Sequence, residues 1–220
     1  MKIKAVLFDM DGVLIDTEDL ILEAAIRALR EFGVNAVPED FKEFVGAGEN
    51  KFVGGPAIKH GTKFVPEMKD RTYEIYAELL RDKPERVYDG VLNVISYVKD
   101  RYSCAVCSAA DFPKVKHNLN AIGVDENFFG ALITGSEIEK LKPHPDIFLA
   151  GAEKLGIEPE NCVVIEDSLN GIRAAKAAGM MSVAVMTYFD RKTLEAEVSP
   201  DIIIRDVREF PDALKQLEQK

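Results

Sequence analysis

The feature that most constrains this chain is a rhythm. From about residue 89 onward, short apolar runs alternate with stretches of helical periodicity: helix 89–101, strand 103–107, helix 113–122, strand 131–134, helix 145–155 and strand 162–166. The alternation continues with helix 169–178, strand 182–186, a short helix near 190–197, strand 201–204 and a final helix. Strands separated by helices pair in parallel and are covered on both faces. One earlier run, Ile3 to Phe8 with Lys4 its only polar residue, has the same buried, non-alternating texture.

Strand signals then vanish for about seventy residues. Leu20, Ile21, Ala24, Ala25, Ala28, Leu29 and Phe32 recur at spacings of three and four, with Gly33 as a C-terminal stop. From Pro38 to about Lys83 the chain reads as helical, with one Gly-rich break, GAGENKFVGG (46–55), and a last helix carrying Tyr73, Tyr76, Leu79 and Leu80 before Pro84. The expected architecture is therefore an α/β domain with a Rossmann-like parallel sheet, made of residues 1–15 and 88–220. A helical domain, residues 16–87, is inserted after its first strand.

Composition bounds the partners. With 220 residues, 47% of them hydrophobic, the chain can bury a sizeable core. Its 28 basic and 38 acidic residues give a formal charge of −10, which argues against long-range attraction to nucleic acid or an anionic membrane. The chain opens directly with strand residues, and no apolar stretch approaches the ~20 residues of a membrane span, so a cytoplasmic protein is expected, a monomer or a weak homodimer. Cys104 and Cys107 have C-x-x-C spacing, but on a strand residues i and i+3 face opposite sides, so the cysteines read as buried small hydrophobes.

In open parallel sheets, ligands bind beyond the carboxyl ends of the strands. Four ends carry chemistry. The first strand ends in FDMDG, where Asp9 and Asp11, two residues apart, would converge while Gly12 lets the backbone depart sharply; a solvated turn and a site for a cation or proton are both open readings. Ser108 closes YSCAVCSAA just before a helix start at Asp111-Phe112-Pro113, where free amides could cradle an anion or the serine could merely cap. Lys142, in LKPHPDIF, is a point charge stiffened by Pro143 and Pro145, with Lys140 as its rival and His144 read as a loop residue. Glu166-Asp167-Ser168 follows the apolar run Cys162 to Ile165, and Asp167 suits either a helix N-terminus or a hard cation.

These motifs, D-x-D-G-V-L-x-D-T-E, a serine ending the next core strand, K-P-x-P-D-x-F and E-D-S-x-x-G, occur here in the order found in the haloacid dehalogenase-like superfamily of phosphotransferases, which the chain resembles along essentially its whole length. The nearest group is that of the small phosphatases and β-phosphoglucomutase-like members with a helical cap. The resemblance implies a cap that opens and closes over a Rossmann-like core, and Mg2+-dependent transfer of a phosphoryl group from a small phosphorylated metabolite. It implies Asp9 as nucleophile and Asp11 as general acid and base. It further implies Mg2+ on Asp9, the backbone carbonyl of Asp11 and Asp167, with Glu166 as a further ligand or support. Ser108, the amide of Ala109 and Lys142 would hold the phosphoryl oxygens. Dehalogenation is not expected, because true dehalogenases lack an acid at the position of Asp11.

Ser108-Ala109 resembles the mutases. Those usually also carry an arginine in the cap loop and a histidine in the first cap helix, whereas this chain offers Lys51 in the loop and Leu20 and Ile21 in the helix. The expected activity is that of a phosphatase, with a phosphosugar mutase as the alternative, and Lys51, with Lys69 as a weaker second, as a candidate substrate contact. A phospho-accepting receiver domain would need no seventy-residue insertion, and a non-catalytic phosphate-binding module would be expected to lose an acid or the lysine.

Overall fold

The computed structural model describes residues 2–44 and 48–219. Strand β1 (Ala5–Phe8) is followed by three helices, α1 (Glu18–Glu31), α2 (Glu49–Lys59) and α3 (Pro66–Leu80). The alternating part then runs α4 (Val91–Lys99), β2 (Ser103–Cys107), α5 (Phe112–Ile122), β3 (Ala131–Ile133), α6 (Asp146–Leu155), β4 (Cys162–Glu166) and α7 (Leu169–Ala177). It closes with β5 (Met181–Val185), α8 (Arg191–Glu197), β6 (Ile202–Ile204) and α9 (Phe210–Glu218). All neighbouring strands pair in parallel, in the order β3-β2-β1-β4-β5-β6. This is the Rossmann-like α/β fold expected from the alternation.

The strands have no polar face because both sides of the sheet are covered. Val6, Phe8, Cys104, Val106, Val163 and Ile165 pack on one side with α4, α5 and α9 residues such as Ile95, Val115, Phe210 and Leu214. Ala5, Leu7, Ala105, Cys107 and Val164 pack on the other with Ile147, Phe148 and Ala152 of α6 and Ala174 and Ala175 of α7. Each fully buried Val, Leu or Phe here is worth about 1.5–3 kcal/mol of transfer free energy. Cys104 and Cys107 fall on opposite sides of the sheet, and all three cysteines are free and buried.

Residues between β1 and β2 have a small core of their own, with Ala25, Leu29, Phe41, Val53, Ala57 and Met68. One face of α1 and α3, with Leu20, Ala24, Ala28, Ile75, Tyr76 and Leu80, joins the larger core beside the sheet. The Gly-rich stretch 46–55 differs from expectation. Gly46 and Ala47 lie outside the described residues, and from Glu49 onward the segment is helix α2, with Gly54, Gly55 and Pro56 inside it. Gly48, at φ +88°, does precede the helix as a break would, but Gly54 and Gly55 serve packing: a Cβ at Gly55 would lie 2.3 Å from the ring of Phe44 and one at Gly54 3.0 Å from that of Phe64. Among the described residues no helix is long and apolar enough to cross a membrane.

Candidate active site

The strand order reverses at β1, with β2 and then β3 on one side of it and β4 on the other, so the crevice falls at the carboxyl ends of β1 and β4. Register makes those ends level: Phe8 pairs with Ile165, and the Asp9 amide donates to the Ile165 carbonyl at 3.0 Å. Asp9 therefore leaves β1 beside Glu166, the last residue of β4, and Asp167 follows. One carboxylate oxygen from each of the three lies within 4.8 Å of the others, and all three residues are buried.

Two glycines make this proximity possible. Gly12 adopts φ +83° in the turn after β1, and a Cβ on it would lie 2.0 Å from Oδ2 of Asp167. Only a residue without a side chain lets that turn sit on the Asp167 carboxylate. Gly171, in the first turn of α7, is pressed against Glu166 in the same way, its missing Cβ falling 1.8 Å from Oε1. The Ser168 amide donates to Glu166 Oε2 at 2.6 Å, while the Ser168 hydroxyl accepts from the Gly171 amide at 2.9 Å and caps α7.

Lys142 closes the cluster. Its ammonium donates to Asp9 Oδ1 at 2.5 Å, to Glu166 Oε1 at 2.8 Å and to the Cys107 carbonyl at 3.3 Å, the last joining it to the residue before Ser108. Lys140 and His144 are exposed, which removes Lys140 as a rival. Burial disfavours the Lys142 charge, but the Asp9 and Glu166 carboxylates more than offset it and hold the ammonium pKa above its ordinary value. Burial also pushes Asp9 up to about 7 despite Lys142, and burial with the Glu166 charge pushes Asp167 well above its ordinary value.

Three buried carboxylates against one lysine leave an excess of negative charge in a low-dielectric site. Such a set of buried carboxylate oxygens could hold a hard divalent cation. Ser108 is buried at the next strand end; its amide donates to the Ile133 carbonyl at 3.0 Å and its hydroxyl accepts from the Ala110 amide at 3.2 Å. Half-buried Ala109 lies between them, and α5 starts just beyond.

Asp11 is not part of the Asp9 cluster. Its Oδ1 accepts from the Thr17 hydroxyl at 2.5 Å and the Asn118 amide at 3.3 Å, and its Oδ2 pairs with Lys114 at 2.9 Å. The Asn118 carbonyl in turn accepts from the Tyr76 hydroxyl. Sequence reading passed over Lys114 and Asn118. The signal was there: on α5 the buried face is Lys114, Val115, Asn118, Leu119 and Ile122, so a lysine and an asparagine occupy positions where helical periodicity calls for apolar residues.

Lys51 is not brought to these groups; it is exposed in the first turn of α2. Glu49 in the same turn faces inward instead, near Lys114 and Tyr73, and burial, only partly opposed by the Lys114 charge, pushes its carboxyl up to about 7. Lys69 reaches the other strand end, donating to Asp111 Oδ2 at 2.7 Å, where the Tyr73 hydroxyl also donates at 3.0 Å.

Residues 3–179 match the family described as haloacid dehalogenase-like hydrolase. The chain is 43% identical to the chloroplastic protein SUPPRESSOR OF QUENCHING 1 of Arabidopsis thaliana, over 94% of its own length but only 20% of that protein's. It is 30% identical to a phosphorylated carbohydrates phosphatase of Thermotoga maritima, covering 94% of this chain and 99% of the other. Among solved structures it is similar to CbbY from Rhodobacter sphaeroides in complex with phosphate, with a TM-score of 0.80, 26% identity and coverage of 94% and 96%.

Proposed function

Because this chain belongs to the haloacid dehalogenase-like hydrolases, we propose that it is a Mg2+-dependent phosphatase of a small phosphorylated metabolite, a sugar phosphate or a similar monoester, and that it works through an aspartyl-phosphate. The observation that carries this reading is the bridge of Lys142 between Asp9 and Glu166, with Asp167 beside them, at the carboxyl edge of the sheet.

A carboxylate oxygen of Asp9 attacks phosphorus in line, and the bond from phosphorus to the ester oxygen breaks. The electron pair leaves with that oxygen, which takes a proton from the Asp11 carboxyl. Asp11 then removes a proton from water as the water oxygen attacks phosphorus, freeing Asp9 and inorganic phosphate. Throughout, the Ser108 hydroxyl and the Ala109 amide hold phosphoryl oxygens, and Lys142 neutralises charge shared between the phosphoryl group and Asp9. Mg2+ would be held by Asp9, Asp167 and the backbone carbonyl of Asp11, with Glu166 as a further ligand or support, and would supply the positive charge that lets a phosphate dianion approach an aspartate.

Residues 16–87 are the cap in this reading, closing over the leaving group and excluding water, and residues 1–15 with 88–220 are the catalytic core. Lys51 belongs to the proposal as a contact for the far end of the leaving group; unchanged KM in Lys51→Ala would remove it. The reading includes a cytoplasmic setting and a monomer or weak homodimer, with no nucleic-acid or membrane partner, in keeping with the charge of −10.

The test is a panel of sugar phosphates and other small phosphate esters with Mg2+, scored for both free phosphate and isomerised product. Phosphate release that is abolished in Asp9→Asn supports the proposal. Isomerisation without hydrolysis would replace it with a mutase, and normal turnover in Asp9→Asn would sink the nucleophile assignment.

A further inference from the structure

Besides the Thr17 hydroxyl, Asp11 is held by two donors from a single rigid element. Lys114 and Asn118, four residues apart on one face of α5, engage both of its oxygens, Lys114 on Oδ2 at 2.9 Å and Asn118 on Oδ1 at 3.3 Å. Thr17 alone would leave the carboxylate free to rotate about its single contact. Two donors on opposite oxygens fix the plane. The Asn118 amide cannot turn over without loss, because its carbonyl accepts from the buried Tyr76 hydroxyl and only the NH2 group can face Asp11.

This arrangement is costly for a helix face that otherwise packs Val115, Leu119 and Ile122. Lys114 is 5% exposed and Asn118 is fully buried. Lysine is almost never this buried unless paired, and apolar side chains at such sites commonly give equal or greater stability. Packing therefore does not account for the pair, whereas aim does. The first turn of α5 begins three residues beyond Ala109, so the helix that follows the Ser108-Ala109 phosphoryl cradle also grips Asp11.

We propose that Lys114 and Asn118 are positioning residues for Asp11, fixing its carboxyl group relative to the phosphoryl cradle so that it meets the leaving oxygen. The inference rests on the phosphatase reading above, with Asp11 as the group that gives the leaving oxygen its proton. A carboxyl group misplaced by about 1 Å can cost 10²-fold in the step it serves.

The test uses two esters with Mg2+ and compares kcat/KM, which reports the steps through departure of the alcohol. One is the alkyl phosphate turned over best in the sugar phosphate panel; the other is p-nitrophenyl phosphate, whose phenolate leaves without needing a proton. Asp11→Asn serves as the reference. Lys114→Met and Asn118→Ala are expected to lose about 10²-fold on the alkyl ester and less than about 3-fold on the aryl ester, the same pattern as Asp11→Asn. Tyr76→Phe, which removes one hydroxyl and keeps the ring, is expected to show the same selectivity at a few-fold and serves if either α5 variant fails to fold. Equal loss on both esters, or no loss on either, while Asp11→Asn remains selective, overturns the positioning role and leaves the role of Asp11 standing. An unselective Asp11→Asn overturns the acid role and this inference with it.

Discussion

Replacing Lys142 by methionine removes the charge and the hydrogen bonds but keeps most of the apolar stem. The ammonium sits 2.5 Å from Asp9 and 2.8 Å from Glu166, with its side chain only 9% exposed. At an effective dielectric constant near 20, each contact corresponds to about 6 kcal/mol of Coulomb attraction. The desolvation of a buried ammonium cancels several kcal/mol of that sum, and removing one partner of such a buried pair costs about 3–5 kcal/mol net because the acids are left uncompensated. Urea unfolding in EDTA near pH 9, above the Asp9 pKa of about 7, is expected to show a loss approaching that size. Added Mg2+ should restore part of it, since a cation bound among the same carboxylates offsets the same repulsion. The loss should shrink in acid, where the acids accept protons instead. A loss below about 1 kcal/mol near pH 9, or one that Mg2+ leaves untouched, would refute the reasoning that Lys142 and a divalent cation share the neutralisation of one acidic cluster.

Three further outcomes follow from the same geometry. Burial raises the Asp9 pKa from 3.8 to about 7, so the folded metal-free protein binds more protons than the unfolded chain between those values. Its stability in EDTA is expected to fall as pH rises from about 4 to about 7, and saturating Mg2+ should flatten or reverse that slope in denaturant titrations. Gly12→Ala places a Cβ 2.0 Å from the Asp167 carboxylate at a φ of +83°, so it should raise the Mg2+ concentration needed for half-maximal activity at least tenfold, measured by metal titration of phosphate release. Gly171→Ala pushes on Glu166 from the other side, its Cβ falling 1.8 Å from Oε1, and should weaken Mg2+ activation and lower the unfolding midpoint together; unchanged values for both would count against Glu166 as part of the cluster.

Much of the site was legible because strand ends are. In a parallel sheet ligands bind at the carboxyl edge, and the apolar runs ending at Phe8, Cys107 and Ile165 pointed to the candidate residues Asp9, Ser108 and Glu166, which the structure places at that edge. Register then did what sequence cannot, by setting Phe8 beside Ile165 and so Asp9 level with Glu166. Choosing Lys142 over Lys140 required burial, which loop spacing does not encode. The surroundings of Asp11 were missed for a different reason. Val115, Leu119 and Ile122 make α5 read as an ordinary core-facing helix, and the two polar residues on that face look like exceptions until Asp11 is seen opposite them. Glu49 was obscured because the glycines of 46–55 read as a break, whereas Gly54 and Gly55 lie inside α2 and are small enough to fit beneath Phe64 and Phe44.

The most direct test of the central claim is where the phosphoryl group goes. The protein is mixed with a 32P-labelled ester substrate and Mg2+, quenched in acid within the first turnover, and the chain is digested and mapped. The expected result is acid-stable, hydroxylamine-labile label confined to the peptide that contains Asp9, lost in Asp9→Asn and accumulating in variants whose second step is slowed. Label on another residue, or full release of phosphate with no label on the protein at any quench time, would contradict an aspartyl-phosphate at Asp9.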